Sequence, residues 1–429
     1  MTDSLVEVTL SKNLSLQHQG MYLSLPFDVP EHAEEVSVQL NVVGSGENVV
    51  DLGLEDPYGV RGWSGGARTS VFVREDRATP GYTVGPLAPG KWSVILNAYR
   101  ICSDGCTVNV YIRIQREANR WYKGDLHLHS HHSDGVYSIS EVAAHVKEAG
   151  LEFMALTDHN TFSQNDSYPT VEDLVIIPAV ELTTNRGHSN FYGVKKPFSD
   201  FRCQTVEDVQ RVMREGEANG ALISVNHPHC DNCGWDWGLE HFAFQFVEIW
   251  NGVWSEANRR TLNWWQEQLC RGKRIIAIGG SDKHGPHESI RYGVPTNWVL
   301  AKSHSPRGIL EGMREGKVCV SAHPGELFVD INIDQTRMGG THYADQQDET
   351  LDLCCTVSQF AEGLLKIISS EGIWKEVVLE ARHSELHFEV DARKSFYRVE
   401  IWDKDQKRPS PLAISNPIFI KTRQSSLFE

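Results

Sequence analysis

The sequence predicts an α/β protein in three parts, a mixed α/β centre with a β-rich segment on either side. Three observations predict it. Apolar and polar residues alternate over residues 1–118, short apolar runs alternate with helical stretches over about 119–325, and alternation returns over 326–429. A chain of 429 residues is also longer than one ordinary domain of ~100–200 residues.

In the first segment Val6, Val8 and Leu10 alternate with polar neighbours, as do Val36, Val38, Leu40 and Val42, and then Val108, Val110, Ile112 and Ile114. Period-two spacing gives each strand one buried face, and Pro30, Pro80 and Pro89-Gly90 read as turns. A small N-terminal β-sandwich is expected over 1–118.

The centre has apolar runs at Phe153–Leu156, Val175–Ile177, Leu222–Val225, Val247–Trp250 and Ile275–Ile278. Helical stretches with readable ends lie between or after them. Ser138 and Glu141 have capping-box spacing, and that helix stops at Gly150; Thr205 opens a second that runs to Gly220; Ser305-Pro306 starts a third. Repeated β–α units imply a parallel sheet or barrel. The last segment has strand patterning at Phe328, Val329, Ile331 and Ile333, then at Phe388, Val390, Val399 and Ile401, with a frayed tail expected after Lys421.

A formal net charge of −16 argues against general affinity for phosphate backbones or anionic membranes, which need a positive field. No run reaches the ~20 apolar residues of a membrane span, and the start lacks the apolar core of a signal peptide. The nine scattered cysteines fit reduced thiols better than a disulfide framework, Cys102 and Cys106 included, so a cytoplasmic protein is the default expectation.

Chemistry concentrates where the central strands end. The first gives Asp125-Leu126-His127-Leu128-His129 and then Asp134, with His127 and His129 on one face of the strand. Later ends give Thr157-Asp158-His159, Glu181 with His188 seven residues on, Asn226-His227-Pro228-His229, and Gly280-Ser281-Asp282-Lys283-His284. In parallel α/β folds the carboxyl ends of the strands share one rim, so these side chains converge. Histidine-x-histidine alone usually fills space, but five such ends together point to a metal site. Imidazole with carboxylate suits Zn, Mn or Fe, and the absence of thiolates from these motifs argues against a purely structural zinc site. Glu181 could bridge two ions and hold a hydroxide between them, with a pKa for bound water near ~7.

The pattern His127-Leu128-His129 with Asp134-Gly135, Thr157-Asp158-His159-Asn160, Glu181, His188, Asn226-His227-Pro228 and Ser281-Asp282-Lys283-His284 resembles the PHP (polymerase and histidinol phosphatase) superfamily over roughly residues 121–322. The resemblance implies a distorted (β/α)7 barrel holding two to three divalent ions. The β-rich flank before it and the stretch from Arg398 to Ser415-Asn416-Pro417-Ile418 look like the carbaryl-hydrolase-like branch of PHP metallohydrolases. Carried over residue by residue, the resemblance puts His127, His129, Glu181 and Asp282 around a first ion. Glu181 bridges to a second, shared with His188 and His227, and Asp134, His159 and His284 hold a third. Glu181, His188 and Asp282 are the residues it implies for catalysis. Many relatives have histidine where Asp134 stands, which puts the third site's strength or metal preference in question.

Other candidates have weaker signals. His131 and His132 have no ligand place in the pattern. Asp125 and Asp158 could orient ligating imidazoles, the reading preferred here, or simply cap strand ends. Arg186 could clamp a phosphate or carboxylate, or form a surface ion pair. Lys283 should point away from its two neighbours. His229-Cys230-x-x-Cys233 has too few ligands for a zinc knuckle and reads as a reduced loop. Trp235, Trp237, Trp250 and Trp254 could line an aromatic pocket, though core packing is their default.

The expected function is hydrolysis by a metal-bridging hydroxide. A small phosphoester is the first-choice substrate, because adjacent cations suit a dianion and the resemblance points the same way; a carboxylic or carbamate ester is second. A non-enzymatic metal or ligand sensor is the alternative from another class, opposed by the intact ligand set. The flanking segments are expected to shape substrate access.

Overall fold

The computed structural model describes residues 5–286, 289–325, 327–358, 362–380, 384–404 and 409–423. Most of the tail expected to fray, 424–429, lies outside them, and a strand at Ile418–Thr422 runs past Lys421. The chain divides into two compact units, Met1–Asn119 with Lys302–Ser305, and Arg120–Ala301 with Pro306–Glu429. Among the described residues no helix is long and apolar enough to cross a membrane.

The first unit is built from two four-stranded antiparallel sheets. One has the order Leu5–Leu14, Cys106–Arg116, Ala33–Val43, Ser70–Arg74; the other Tyr22–Val29, Gly90–Arg100, Val49–Asp56, Gly59–Gly65. Val36, Val38, Leu40, Val108, Val110, Ile112 and Ile114, the residues that alternate in the sequence, share one core with Leu52, Leu54, Trp92, Val94 and Leu96 of the other sheet. Cys102 and Cys106 are free thiols.

In the second unit a continuous sheet starts with Ile276–Gly280, Phe246–Asn251, Leu222–Val225, Gly187–Tyr192, Val175–Thr184, Phe153–Leu156 and Arg120–Leu128. It continues through Thr296–Ala301 and Val318–Ser321 into strands of the last segment, so the centre and that segment share a sheet within one unit. The strands at 153–156 and 175–184, and those at 222–225, 246–251 and 276–280, pair in parallel. The Gly187–Tyr192 strand breaks the expected run of β–α units. Only Asn185 and Arg186 separate it from its predecessor, too few for a parallel crossover, so it folds back antiparallel and pairs antiparallel on its other side as well. An isolated parallel bridge between Leu128 and Lys283 sets the end of the first strand beside the segment that follows the last.

The helices start where the caps predict. Ser138 caps Ile139–Glu148 and Thr205 caps Val206–Ala218, each with its reciprocal capping box; Pro306–Arg314 begins at the proline. One further helix, Glu256–Cys270, is not among the expected stretches; Ser255 caps it and it buries Leu262, Trp265 and Leu269. The spacing of those three is helical, but tryptophans beside the preceding strand hide the change of period. The last segment adds an antiparallel sheet ordered Thr336–Arg337, Phe328–Ile333, Thr350–Ser358, Ser384–Asp391. Val329, Ile331 and Ile333 share a core there with Val399 and Ile401.

Candidate metal centre

The strand ends bring the predicted donors together around Glu181. This residue lies on the fully buried part of Val175–Thr184. Its Oε1 is 3.2 Å from His127 Nε2, 3.3 Å from His188 Nδ1 and 3.9 Å from His227 Nε2. Its Oε2 is 2.9 Å from His159 Nδ1 and 3.5 Å from His129 Nε2. His188 reaches it through sheet register. Thr183 is paired with His188 and Glu181 with Asn190, so alternation puts His188 on the face that Glu181 uses.

Asp282 faces the same imidazoles from the last strand end, with Oδ1 3.1 Å from His129 Nε2 and 3.4 Å from His127 Nε2. A third locus lies beside them. Asp134 Oδ1 is 3.4 Å from His159 Nε2 and 3.3 Å from His284 Nε2, and the two imidazole nitrogens are 3.5 Å apart. Donor atoms of His127, His129 and Asp282, of His127, Glu181 and His227, and of His129, Asp134, His159 and His284 form three groups compact enough for an ion each.

Holding these groups face to face costs backbone energy. His227 and Asp282 are both in the left-handed region, at φ 29° and 55°, where a side chain other than glycine's is strained by about 1–3 kcal/mol. Such strain persists only where surrounding contacts fix it. For Asp282 these include its N–H bond to His127 O, 2.9 Å, and for His227 its N–H bond to Glu248 Oε2, 3.1 Å.

Glu248, which the sequence reading did not single out, is a further carboxylate of the site. It sits buried in the apolar strand Phe246–Asn251, with Oε1 2.9 Å from His127 Nδ1, and Oε2 accepts from Asn251 Nδ2 at 3.1 Å. A single carboxylate inside the run Val247-Glu248-Ile249-Trp250 was the available signal, since an unpaired charge is not left in a core. Asn226 Nδ2 donates to Glu181 Oε1 at 2.8 Å and Asn251 Nδ2 to Asp282 Oδ2 at 3.3 Å, so two amides hold the carboxylates.

Asp125 and Asp158 accept from backbone N–H and hydroxyl groups at the strand ends, the capping alternative, and not from imidazoles. Asp125 accepts from the N–H groups of His127, Ser281 and Gly293, and burial pushes its carboxyl up to about 6. Asp158 accepts from Ser130 N–H and from the Ser130 and Ser133 hydroxyls, fixing the loop after His129. His131 and His132 bond to Tyr137 O and Ser163 Oγ. Lys283 points away as expected and donates to Ile290 O. Arg186 is exposed at the hairpin turn; its guanidinium lies over the Trp237 ring at 4.3 Å and donates to Asp236 O. Trp235, Trp237 and Trp250 are buried in the core, and Trp250 with Trp254 also lines a cavity of about 760 Å³.

The electrostatics fit a cationic guest. Burial would push the Glu181 carboxyl up, yet His127, His159 and His188 hold it well below the usual carboxylate range. Burial would push the His127 imidazolium down, yet Asp282, Glu181 and Glu248 hold it well above its ordinary value. His129 and His227 are pushed down by burial. Glu181, Glu248 and Asp282 thus demand positive charge; their charge favours it on His127 and their neighbourhood raises His159 as well, while burial opposes it on His129 and His227. Among the described residues His127 Nε2, both ring nitrogens of His129, His227 Nε2 and Glu181 Oε2 are buried without a hydrogen bond. Orphaned donors and acceptors that converge on one point are compatible with a metal site.

The PHP domain family matches residues 125–213. That span contains His127, His129, Asp134, His159, Glu181 and His188, the donors grouped around Glu181 and Asp134. Residues 125–213 are a PHP domain. The remaining donors, His227, Asp282 and His284, come from beyond the span matched to the PHP domain, and the fold brings them to it. Among curated proteins, the DNA polymerase/3'-5' exonuclease PolX of Bacillus subtilis (strain 168) is 44% identical over 52 residues, which is 12% of this chain and 9% of that protein's length. Among solved structures, a two-domain protein from Bacteroides vulgatus described as containing a predicted PHP-like metal-dependent phosphoesterase is 18% identical, with a TM-score of 0.40, covering 69% of this chain and 95% of that one. An amidohydrolase from Chromobacterium violaceum is 16% identical, with a TM-score of 0.28, covering 39% of this chain and 89% of that one.

Proposed function

We propose that this chain is a PHP-type metal-dependent hydrolase whose first-choice substrate is a small phosphoester. One observation carries the reading: both oxygens of a fully buried glutamate, Glu181, face imidazoles from five histidines, with a second carboxylate, Asp282, opposite. His127, His129, Glu181 and Asp282 would hold one ion, Glu181 with His188 and His227 a second, and Asp134, His159 and His284 a third. Two to three divalent ions there, Zn, Mn or Fe, would activate water near neutral pH and offset the charge of a dianionic substrate.

The protein's own groups supply position. Asn226 and Asn251 fix the rotamers of Glu181 and Asp282 by amide donation, and Glu248 turns His127 so that Nε2 faces inward. Glu181, His188 and Asp282 are the residues nearest the reacting water in this reading. In this reading Arg186, whose exposed guanidinium is stacked on Trp237, would meet an anionic group of the substrate. The sheet path together with the Leu128–Lys283 bridge supports the distorted (β/α)7 barrel, and buried Asn416, which ties Ala277 to Val318, is compatible with the carbaryl-hydrolase-like branch.

The cavity lined by Trp250 and Trp254 favours a second reading, hydrolysis of a carboxylic or carbamate ester with an aromatic group. The discriminating experiment is a hydrolysis screen of metal-loaded protein against phosphomonoesters, phosphodiesters and aryl esters. Phosphoester turnover inhibited competitively by inorganic phosphate is the expected result. Aryl ester turnover insensitive to millimolar phosphate, with no phosphatase activity, would replace the first reading by the second.

A further inference from the structure

The segment after the Leu222–Val225 strand serves two sites. His227 turns Nε2 toward Glu181, while two cysteines meet on the opposite edge of the same imidazole. Cys230 N–H donates to His227 O and Trp235 N–H to Pro228 O, both at 2.9 Å, and the resulting turn brings Cys230 Sγ to 2.8 Å from Cys233 Sγ. Cys233 Sγ lies 3.6 Å from His227 Nδ1. His229, the histidine adjacent to Cys230, is turned elsewhere, with Nδ1 3.0 Å from Thr261 Oγ1.

Paired thiols at this spacing suit either a metal or a disulfide, and distance separates the two. Tetrahedral zinc with bonds of ~2.3 Å keeps its sulfurs about 3.8 Å apart. A disulfide closes at ~2.05 Å. The observed 2.8 Å is nearer the second and well short of the first. A metal would also need ligands beyond His227, and Asp231, the carboxylate between the cysteines, is exposed and paired with Arg260.

We propose that Cys230 and Cys233 form a reversible oxidation site that closes to a disulfide against His227 when the protein meets a peroxide. The step balances without a further reactant. Hydrogen peroxide takes two electrons from the Cys230 sulfur, giving Cys230 sulfenic acid and one water. Cys233 sulfur then displaces the hydroxyl from that sulfur, its own proton leaves with the hydroxyl as a second water, and the S–S bond forms. Closure removes the one hydrogen that Cys233 can donate to His227 Nδ1, leaving sulfur only as a weak acceptor.

Trypsin supplies a clean readout. No lysine or arginine lies between Arg214 and Arg259, and the peptide 215–259 contains Cys230 and Cys233 and no other cysteine. The full-length protein, with and without added metal, is treated with hydrogen peroxide, alkylated and digested. The expected product is this peptide lighter by two hydrogens and free of alkyl groups, returning to the doubly alkylated form after dithiothreitol. Cys233→Ser should instead leave Cys230 as a sulfenic acid or a higher oxide, with no mass matching an internal disulfide. Both cysteines still alkylated under peroxide that oxidises exposed Cys270 would overturn the proposal. So would oxidation that dithiothreitol does not reverse, or alkylation blocked by added zinc without peroxide, which is the metal-thiolate outcome. The readout does not use turnover, so it stands or falls apart from the hydrolase reading.

Discussion

Glu248 grips His127 from behind: its Oε1 is 2.9 Å from His127 Nδ1, and Nε2 of the same ring faces Glu181 and Asp282. A carboxylate on the outer nitrogen fixes the tautomer that leaves the inner lone pair free, and it raises the ring's basicity. Glu248 also accepts from His227 N–H and Asn251 Nδ2, so every near partner of this carboxylate donates to it.

Glu248→Gln should therefore weaken metal binding by roughly 10–100-fold while leaving circular dichroism unchanged. Glutamine replaces one acceptor oxygen by an NH2 facing N–H donors, and removes the charge that His127 answers. Metal affinity by competition with a chromophoric chelator is the measurement; affinity equal to wild type would mean that His127 is oriented by Glu181 and Asp282 alone.

Gly280→Ala tests the space between these groups. A Cβ there would fall inside contact distance of His127 Cβ and Glu248 Oε1, in a strand buried on both sides. Overpacking of this kind typically costs about 1–3 kcal/mol. Both the urea midpoint and metal affinity should fall, because the displaced atoms belong to the site. A loss of stability with metal affinity intact would show that the strand moves as a whole and leaves His127 in place.

The positions of Glu181, Asp282 and the histidines at 127, 129, 159 and 227 were legible because each lies at or just past the end of an apolar run, a place that sequence can identify; His188 opens the returning strand Gly187–Tyr192 and is placed by sheet register. Glu248 was missed because it lies within a run, where the eye reads apolar neighbours and passes over the charge. For Asp125 and Asp158 the sequence leaves imidazole orientation and strand-end capping both open, for a related reason. Spacing shows that a carboxylate is near a histidine, but not whether a backbone N–H will reach it first. The hairpin at Asn185-Arg186 was readable in principle, since two residues cannot carry a parallel crossover. The pairing of Cys233 with His227, and not of His229 with the thiols, depends on a turn whose handedness no spacing reveals.

Glu181→Gln should abolish turnover and preserve the fold. The amide keeps the shape of the side chain, but the negative charge that faces His127, His159 and His188 is gone, and with it the shared ligand of two proposed ions. Activity and circular dichroism are to be measured on one sample. More than about a tenth of the wild-type rate would sink the bridging assignment, because a metal-activated water without its bridge should lose far more.

The third locus is the least protected and gives the sharpest test. The Asp134 side chain is 62% exposed, against none for Glu181, and it approaches His159 and His284 at 3.4 and 3.3 Å. An ion held by these three residues would have water on its open side, so removal of one ligand should release it. Metal analysis of saturated wild-type protein should then give up to three ions per chain. Asp134→Ala should lower that by about one and leave the ions around Glu181 in place. His284→Ala should lower it by at least one, since its ring touches Asp134 and its Nδ1 also lies 3.5 Å from Asp282 Oδ1. His159→Ala should cost more, because His159 Nδ1 also lies 2.9 Å from Glu181 Oε2, and its loss would disturb the bridging carboxylate. Wild-type protein that never exceeds two ions under saturating Zn or Mn would refute the third site. Asp134 would then be a carboxylate at the rim that meets substrate or solvent, and the centre would be dinuclear.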